Sequence, residues 1–306
     1  MPKVSVCMAT RNGEQYIHAQ LESILLQLAP DDEVIISDDS STDRTVDIVK
    51  GFGDARVRLY ENNTFFNPIA NFANALGKAG GDYMALADQD DVWLPRKIRL
   101  TLAKMNELEG MYGKETPLLV HTDLKVVTAN LEVVAESLWR FQKTDPQKGV
   151  SLNRLLVQNT VSGCTIMMNR ALRDIALPIP PEAVMHDWWL ALVAAAFGRI
   201  GHVSEPTMLY RQHGENDVGA RQWSLFNLFR LVSELGNSKR DIVRIRKQAG
   251  VFLQRYSKLL SARNREMTGI YSRLGEQGCL MKRYYILKYG FFHTGLVRNV
   301  GMLLIC

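Results

Sequence analysis

Tyr83-Met84-Ala85-Leu86-Ala87-Asp88-Gln89-Asp90-Asp91-Val92-Trp93 is a short apolar run that rises into three carboxylates within four residues. Leu94-Pro95 then breaks it and opens a helical segment. A run this short, bounded by polar residues, reads as a strand buried on both faces. Its acidic end then lies at the carboxyl edge of a sheet, where open α/β sheets bind ligands. Carboxylates this close repel one another unless a cation sits between them, and hard oxygen donors suit Mg²⁺ or Mn²⁺. A lone D-x-D is more often a solvated acidic turn. Here the strand before it, the third acid and the clusters described below favour the metal.

Upstream, Val4 to Ala9 is a first strand that breaks into Thr10-Arg11-Asn12-Gly13. Glu33-Val34-Ile35-Ile36-Ser37 is a second, ending in Asp38-Asp39-Ser40-Ser41-Thr42-Asp43, and Val57 to Tyr60 is a third. Between them lie helical stripes: Ile17, Leu21, Ile24, Leu25 and Leu28, then Val46, Ile48 and Val49. Asn67-Pro68 opens another helix, with Asn as cap and Pro in the first turn. The order β-α-β-α-β-α-β predicts a mostly parallel sheet covered by helices on both faces.

Downstream, a helix runs from Pro95 to about Glu109, and Leu118 to Asp123 forms a strand. Lys125 to Val134 reads as a hairpin arm, and Ser162-Gly163-Cys164 as a small-residue turn that feeds a strand to Met168. His186-Asp187-Trp188-Trp189 begins an apolar helix through Phe197. Two short strands, Arg199 to Val203 and Met208 to Tyr210, lead to Tyr210-Arg211-Gln212-His213. From Trp223 onward the pattern is helical. The expected division is a catalytic body over 1–221 and a basic helical region over 222–306. Within the body, 1–123 would take the nucleotide and 124–221 the acceptor.

The 306 residues are 46% apolar and 23% charged, enough to bury a sizeable core. No apolar run reaches the ~18 residues of a spanning helix. The opening Met1-Pro2-Lys3-Val4 predicts no signal peptide, and the four scattered cysteines form no C-x-x-C pair. Both fit a reducing cytoplasm. The net +5 hides an asymmetry: residues 222–306 carry 15 Lys+Arg against 4 Asp+Glu, or +11, which leaves −6 for the rest. A basic tail on an acidic body suggests an anionic partner or another subunit. No nucleic-acid-binding motif accompanies the charge, so nucleic acid is not expected.

The strand ends supply three polar clusters: Thr10-Arg11-Asn12, Asp38-Asp39 and Asp88-Gln89-Asp90-Asp91. Parallel strands bring such ends together. Neither G-x-G-x-x-G nor G-x-x-x-x-G-K-[ST] follows the first strand, which weakens the dinucleotide and P-loop readings. These clusters, with Ser162-Gly163-Cys164, His186-Asp187-Trp188-Trp189 and Tyr210-Arg211-Gln212-His213 in the same order, make the chain resemble the family-2 inverting glycosyltransferases of GT-A fold. The resemblance covers Lys3 to Gly219 and is greatest to rhamnosyltransferase-type members that build bacterial surface polysaccharides.

The resemblance implies roles. Thr10, Arg11, Asn12, Asp39 and Asn71 would line the base and ribose pocket of a UDP- or dTDP-sugar, with Asp88 on the ribose. Asp90 and His213 would serve the metal, and Asp187 would be the catalytic base. Trp93, Gly163, Cys164 and Trp188 would face the acceptor, a hydroxyl of a lipid-linked glycan. Two positions depart from the family pattern: Arg11 replaces an aromatic, and His186 replaces an acid before the base. The Gln-x-x-Arg-Trp element of processive synthases is absent, which favours transfer of single sugars.

Blander readings stand beside these. Asp187 is also a natural N-cap for a helix beginning at Trp188, and Asp43 for the one before Val46. His213 alone reads as a loop histidine, Cys164 as a small buried residue, and His121 and His202 as structural. In the tail, Tyr289, Phe291, Phe292, Leu296, Leu303 and Leu304 among basic residues suggest a peripheral helix on the cytoplasmic face of the inner membrane; the alternative is a packing or subunit element, as in a homo-oligomer. A sugar-phosphate nucleotidyltransferase and a non-catalytic scaffold of a polysaccharide assembly are the competing functions. The first needs a longer Gly-rich loop after strand one than Thr10-Arg11-Asn12-Gly13; the second leaves Asp88, Asp90 and Asp187 without a purpose.

Overall fold

The computed structural model describes residues 3–213, 235–295 and 299. The first half alternates strand and helix: β1 (Val4–Thr10), α1 (Ile17–Leu25), β2 (Glu33–Asp38), α2 (Thr45–Gly51), β3 (Val57–Tyr60), α3 (Pro68–Lys78) and β4 (Tyr83–Ala87). Then come β5 (Val92–Trp93), α4 (Lys97–Tyr112), β6 (Leu118–Thr128), β7 (Val133–Ala135), α5 (Leu138–Gln142) and α6 (Leu152–Leu155). β8 (Met167–Asn169), α7 (Arg170–Ala176), α8 (His186–Phe197) and β9 (Arg199–Gln212) complete the body. The tail contributes α9 (Leu235–Tyr256), α10 (Ala262–Ser272) and α11 (Cys279–Tyr289).

The described strands form one nine-stranded sheet ordered β3-β2-β1-β4-β8-β6-β9-β5, with β7 paired to β6. The quartet β3-β2-β1-β4 is parallel throughout, as the alternating pattern predicts. Beyond β4 the sheet is mixed, with β8 antiparallel to both neighbours and β6 parallel to β9. Register sets the site: Thr10 lies opposite Asp38, and Met8 opposite Ala87. The loops after β1, β2 and β4 therefore leave the sheet side by side at its carboxyl edge.

Side chains alternate between faces along each strand. Val6, Met8, Val34, Ile36, Ala85 and Ala87 pack with α1 and α4, while Cys7, Ile35, Met84 and Leu86 pack with α3, α8 and the tail. Asn67 caps α3 by accepting from the Ile69 amide at 2.8 Å, with Pro68 in the first turn. The N-cap of α2 is Arg44 and not Asp43; Asp43 sits one residue before it and still takes the amide of Thr45 at 3.0 Å. β9 is a single strand where the sequence suggests two. Exposed Ser204-Glu205 and Pro206, which has no N–H, fall where the register against β6 shifts, so the polar break is an irregularity within the strand.

The tail shares the core of the body. Phe252 and Tyr256 of α9 lie 5.5 and 5.9 Å from the Trp189 ring of α8. Phe291 is fully buried, edge-on to Tyr271 at 5.0 Å and stacked on Tyr289 at 5.6 Å. It is therefore a packing residue and not an exposed anchor, because the chain turns back after Gly290 (φ +67°) and inserts it beneath α10. α11 carries exposed apolar side chains instead, Leu280 (79% exposed), Tyr284 (52%) and Leu287 (61%); Val243 on α9 and Leu259 after it are exposed as well. Leu296, Leu303, Leu304 and the boundary at 221/222 lie outside the described residues.

Truncating a fully buried aromatic to alanine costs about 3–5 kcal/mol. Phe252→Ala should lower the urea midpoint by that amount, with the denaturant slope unchanged. A loss under about 1 kcal/mol would mean that α9 is not part of the cooperative core.

Candidate active site

A cleft of about 980 Å³ opens at the carboxyl edge of β1, β2 and β4. Its walls come from the loops after these strands, from α3, from the turn at Gly163–Thr165 and from the start of α8. Thr10 closes β1 by donating to Asp38 Oδ2 at 2.7 Å. Asp39 is buried and accepts the amides of Phe65 (2.7 Å) and Asn67 (3.2 Å), which fixes the loop that leads into α3. Asn71 donates Nδ2 to the Thr10 carbonyl at 3.2 Å, and its Oδ1 is buried with no protein partner. The Arg11 guanidinium stacks over Phe66 at 4.7 Å. The Arg11 backbone exchanges two 2.9 Å hydrogen bonds with the Gln89 amide, which ties the loop after β1 to the acidic loop.

The acidic loop is held from below. Arg211 on β9 donates its amide to Asp91 Oδ1 at 3.1 Å and its Nε to the Asp90 carbonyl at 2.7 Å. His213 Nε2 meets Asp90 Oδ2 at 2.8 Å, with its ring stacked on Tyr16 at 4.9 Å. Asp91 is fully buried and its Oδ2 has no protein partner. Burial first, then the charges of Asp90 and Asp88, push its carboxyl well above the ordinary range. Lys97 lies beneath, fully buried, with Nζ donating to the Cys164 carbonyl at 2.8 Å; burial lowers it to about 8. Donor atoms of Asp88, Asp91 and Cys164 lie within 4.8 Å of one another. Burial also pushes the Cys164 thiol well up, which leaves carboxylate oxygens as the donors on offer. An orphaned buried carboxylate oxygen beside two further acids fits a hard divalent cation such as Mg²⁺ or Mn²⁺.

Asp187, in the first turn of α8, also lines the cleft. Burial raises its carboxyl to about 6, against the amides of Trp188 and Gly163 and the side chain of Asn159, which favour the charged form. Gly163 suits the close approach of this turn: a Cβ there would lie 3.1 Å from His186 Nε2 and 3.4 Å from Asp187 Oδ2, so those side chains would have to give by a few tenths of an ångström. Trp188 anchors the helix start, with Nε1 donating to the Leu155 carbonyl at 2.6 Å.

Residues 5–112 match the family model described as glycosyl transferase family 2. This stretch is a family 2 glycosyltransferase domain. Of curated proteins, the dTDP-rhamnosyl transferase RfbG of Shigella flexneri is 29% identical over 235 residues, covering 70% of this chain and 74% of that one. The UDP-Glc:alpha-D-GlcNAc-diphosphoundecaprenol beta-1,3-glucosyltransferase WfgD of Escherichia coli is 30% identical over 172 residues, covering 55% of this chain and 61% of its own length, which is less than two thirds. Among solved structures, S. aureus TarS 1-349 in complex with UDP-GlcNAc superposes with a TM-score of 0.56 at 17% identity, over 90% of this chain and 80% of that one. This likeness establishes the fold, that of GT-A glycosyltransferases.

Within this glycosyltransferase, Thr10, Arg11, Asp39, Asn71, Asp88, Asp90, Gly163, Cys164, Asp187 and Trp188 all line the cleft. His213 reaches it through Asp90. Asn12 stands back: its φ is +49°, and its Oδ1 accepts the Thr42 amide at 2.8 Å, which joins the loops after β1 and β2. Trp93 also stands back, buried under α1 with its amide on Ser23 Oγ at 2.9 Å and Lys97 Nζ over its ring. Asp187 is not the N-cap of its helix. α8 begins two residues earlier than expected, at His186 after Met185, and Asp187 Oδ1 accepts the next amide, that of Trp188, at 2.5 Å. Gln89, Phe72, Trp139, His186 and His293 line the cleft without having been singled out for it in the sequence. Gln89 stood inside the acidic motif; His293 carried no signal, because only tertiary packing brings the tail to the body.

The raised Asp187 carboxyl has a stability consequence. A raised acid favours the folded state most below its unfolded value of 3.8 and loses that advantage as pH rises through about 6. Asp187→Asn removes the ionisation. The variant should gain on the order of 2 kcal/mol relative to wild type between pH 4 and pH 7.5, read from urea midpoints at the two pH values. A difference that does not change with pH would place the carboxyl near its ordinary value.

Proposed function

We propose that this enzyme transfers a single sugar from a UDP- or dTDP-sugar to a hydroxyl of a lipid-linked glycan, with inversion and with Mg²⁺ or Mn²⁺. The observation that supports this reading is that one cleft is lined by Asp187, by Asp88 and Asp90 of the acidic loop, and by the pair Asp39 and Asn71. Asp39 and the unpartnered Asn71 Oδ1 offer acceptors for the N–H of a pyrimidine, and Thr10 and Arg11 complete that wall. Asp88 takes the ribose. Asp90, with His213 and Asp91, holds the cation, which when bound supplies Lewis-acid neutralisation of the diphosphate. With its carboxyl at about 6, Asp187 is ionised at neutral pH and still basic enough to accept a proton from the acceptor hydroxyl. Attack from the face opposite the leaving diphosphate inverts the anomeric carbon in one displacement. The relatives' names, a dTDP-rhamnosyl transferase and a UDP-Glc transferase to a diphosphoundecaprenol acceptor, support pyrimidine donors, with rhamnose among the sugars, and a lipid-linked acceptor.

Calorimetry should show UDP or dTDP binding that tightens with Mn²⁺ in wild type and loses that metal dependence in Asp90→Ala. Asp187→Asn should keep the metal-dependent binding and lose turnover by a factor on the order of 10² or more. Unchanged metal response in the first variant removes Asp90 from the metal site. Near-wild-type turnover in the second removes Asp187 as base.

In this reading the enzyme sits peripherally on the cytoplasmic face of the inner membrane. Among the described residues no helix is long and apolar enough to cross a membrane. Leu280, Tyr284 and Leu287 follow an i, i+4, i+7 stripe on α11, with Arg283 and Lys288 flanking it. Basic residues near an anionic surface contribute about 1 kcal/mol each, and the apolar stripe buries at the interface. Leu280→Glu with Leu287→Glu should abolish co-sedimentation with phosphatidylglycerol vesicles at low salt and leave UDP or dTDP binding intact. Wild type remaining in the supernatant, or a dimer that the double variant dissociates, would make this face a subunit contact.

A further inference from the structure

We infer that His186 reads a hydroxyl of the donor's sugar ring, as a specificity residue of this cleft. The inference rests on the glycosyl-transfer reading above and assigns a subsite between the nucleotide wall and the base. His186 is the first residue of α8, and its ring stacks on Phe72 of α3 at 3.9 Å with an interplanar angle of 22°. Only 4% of the residue is exposed, and neither Nδ1 nor Nε2 has a hydrogen-bond partner. A buried imidazole with both nitrogens unmet is rare, because each buried polar group normally finds a partner.

Burial lowers His186 to about 3, so it is neutral at any working pH and carries one N–H donor and one bare acceptor nitrogen. A hydroxyl is the partner that suits such a ring, since it both donates and accepts. The geometry of the opening agrees. Nε2 faces Gly163, at 3.1 Å from where a Cβ would stand, so no side chain from the turn covers the nitrogen. Both residues line the cleft.

Position then selects the sugar over the rest of the donor. Phe72, on which the ring stacks, follows Asn71, which belongs to the base-binding wall. Asp187, which follows His186, faces the acceptor hydroxyl. In a single displacement, the ring bearing the anomeric carbon lies between the leaving diphosphate and the attacking hydroxyl. In the proposed function that ring would lie against the part of the cleft wall that His186 and Phe72 form. A site built to hydrogen-bond a hydroxyl rejects an analogue that lacks it far more strongly than an apolar pocket does.

The test compares UDP with UDP-glucose, and dTDP with dTDP-rhamnose, by calorimetry with Mn²⁺. It uses wild type, His186→Phe, which keeps the stack and removes the nitrogens, and His186→Gln, which restores a donor and an acceptor. The nucleoside diphosphates should bind all three proteins equally. The nucleotide sugar that wild type prefers should lose roughly tenfold or more on His186→Phe and recover in part on His186→Gln. Deoxy forms of that sugar should lose a similar factor on wild type at one ring position only, and nothing further on His186→Phe. Equal loss for the diphosphate and its sugar would make His186 a packing residue and overturn the inference, as would no loss for either. The deoxy series on wild type stands even if His186→Phe fails to fold, and uniform affinity across it would overturn the inference as well. Wild type that binds neither nucleotide sugar would sink the glycosyl-transfer reading itself, an outcome distinct from a wild type that binds and does not depend on His186.

Discussion

Like charge crowded at the edge of a sheet is the constraint that the rest of this molecule answers. Asp88, Asp90 and Asp91 leave β4 together, and Asp91 has nowhere to turn: it is buried, with one oxygen on the Arg211 amide and the other unmet. The surrounding elements act to hold that arrangement. β9 crosses under the loop and supplies Arg211 and His213. α4 supplies Lys97, a buried cation whose own proton is loosened by the same desolvation. Tyr16, after β1, packs on both Arg211 and His213. Removing a buried charge's partner costs far more than the pair contributes. The loop therefore binds the two halves of the sheet to one another.

Much of this was legible in the sequence because it is local. Strand runs that end in acids, a capping Asn67 and the Gly163 turn announce themselves in a few residues. The order of the parallel strands then placed Thr10, Asp39 and Asp88 together before any coordinates. What stayed hidden is what depends on distant packing. The helix of Asp187 starts two residues earlier than cap preferences suggest, because Trp188 and Trp189 are pinned by the carbonyls of Leu155 and Ala176 and draw His186 into the first turn. Trp93, expected to face the acceptor, is instead buried under α1, since β5 pairs with β9 rather than opening to the cleft. The polar break at Ser204–Pro206 looked like the end of a strand because a bulge and a loop have the same composition.

The tail shows the same limit. Composition marked it as basic and apolar in patches, but could not say which apolar residues were spent internally. Phe252, Tyr256 and Phe291 fill the space behind α8, and Thr294 donates from both its amide and its hydroxyl to Gln158 at 3.0 Å. His293 thereby reaches the cleft wall. The helix that carries Asp187 is thus braced from behind by a segment outside the family-matched stretch. The exposed stripe on α11 can be read as a face only once the buried residues are subtracted.

The paired hydrogen bonds between Gln89 and the Arg11 backbone have a thermodynamic consequence. They join the loop after β1 to the acidic loop, which in the proposed function take the nucleotide and the cation, and a Cβ on Gly13 would collide with that same amide at 2.4 Å. Two loops locked in this way order as one body, so the entropy lost on settling the first is not lost again for the second. Linkage makes such coupling reciprocal: whatever factor one ligand adds to the affinity of the other, it receives in return. An apparent order of addition in this enzyme would then reflect the concentrations of the two ligands and not a gate in the protein.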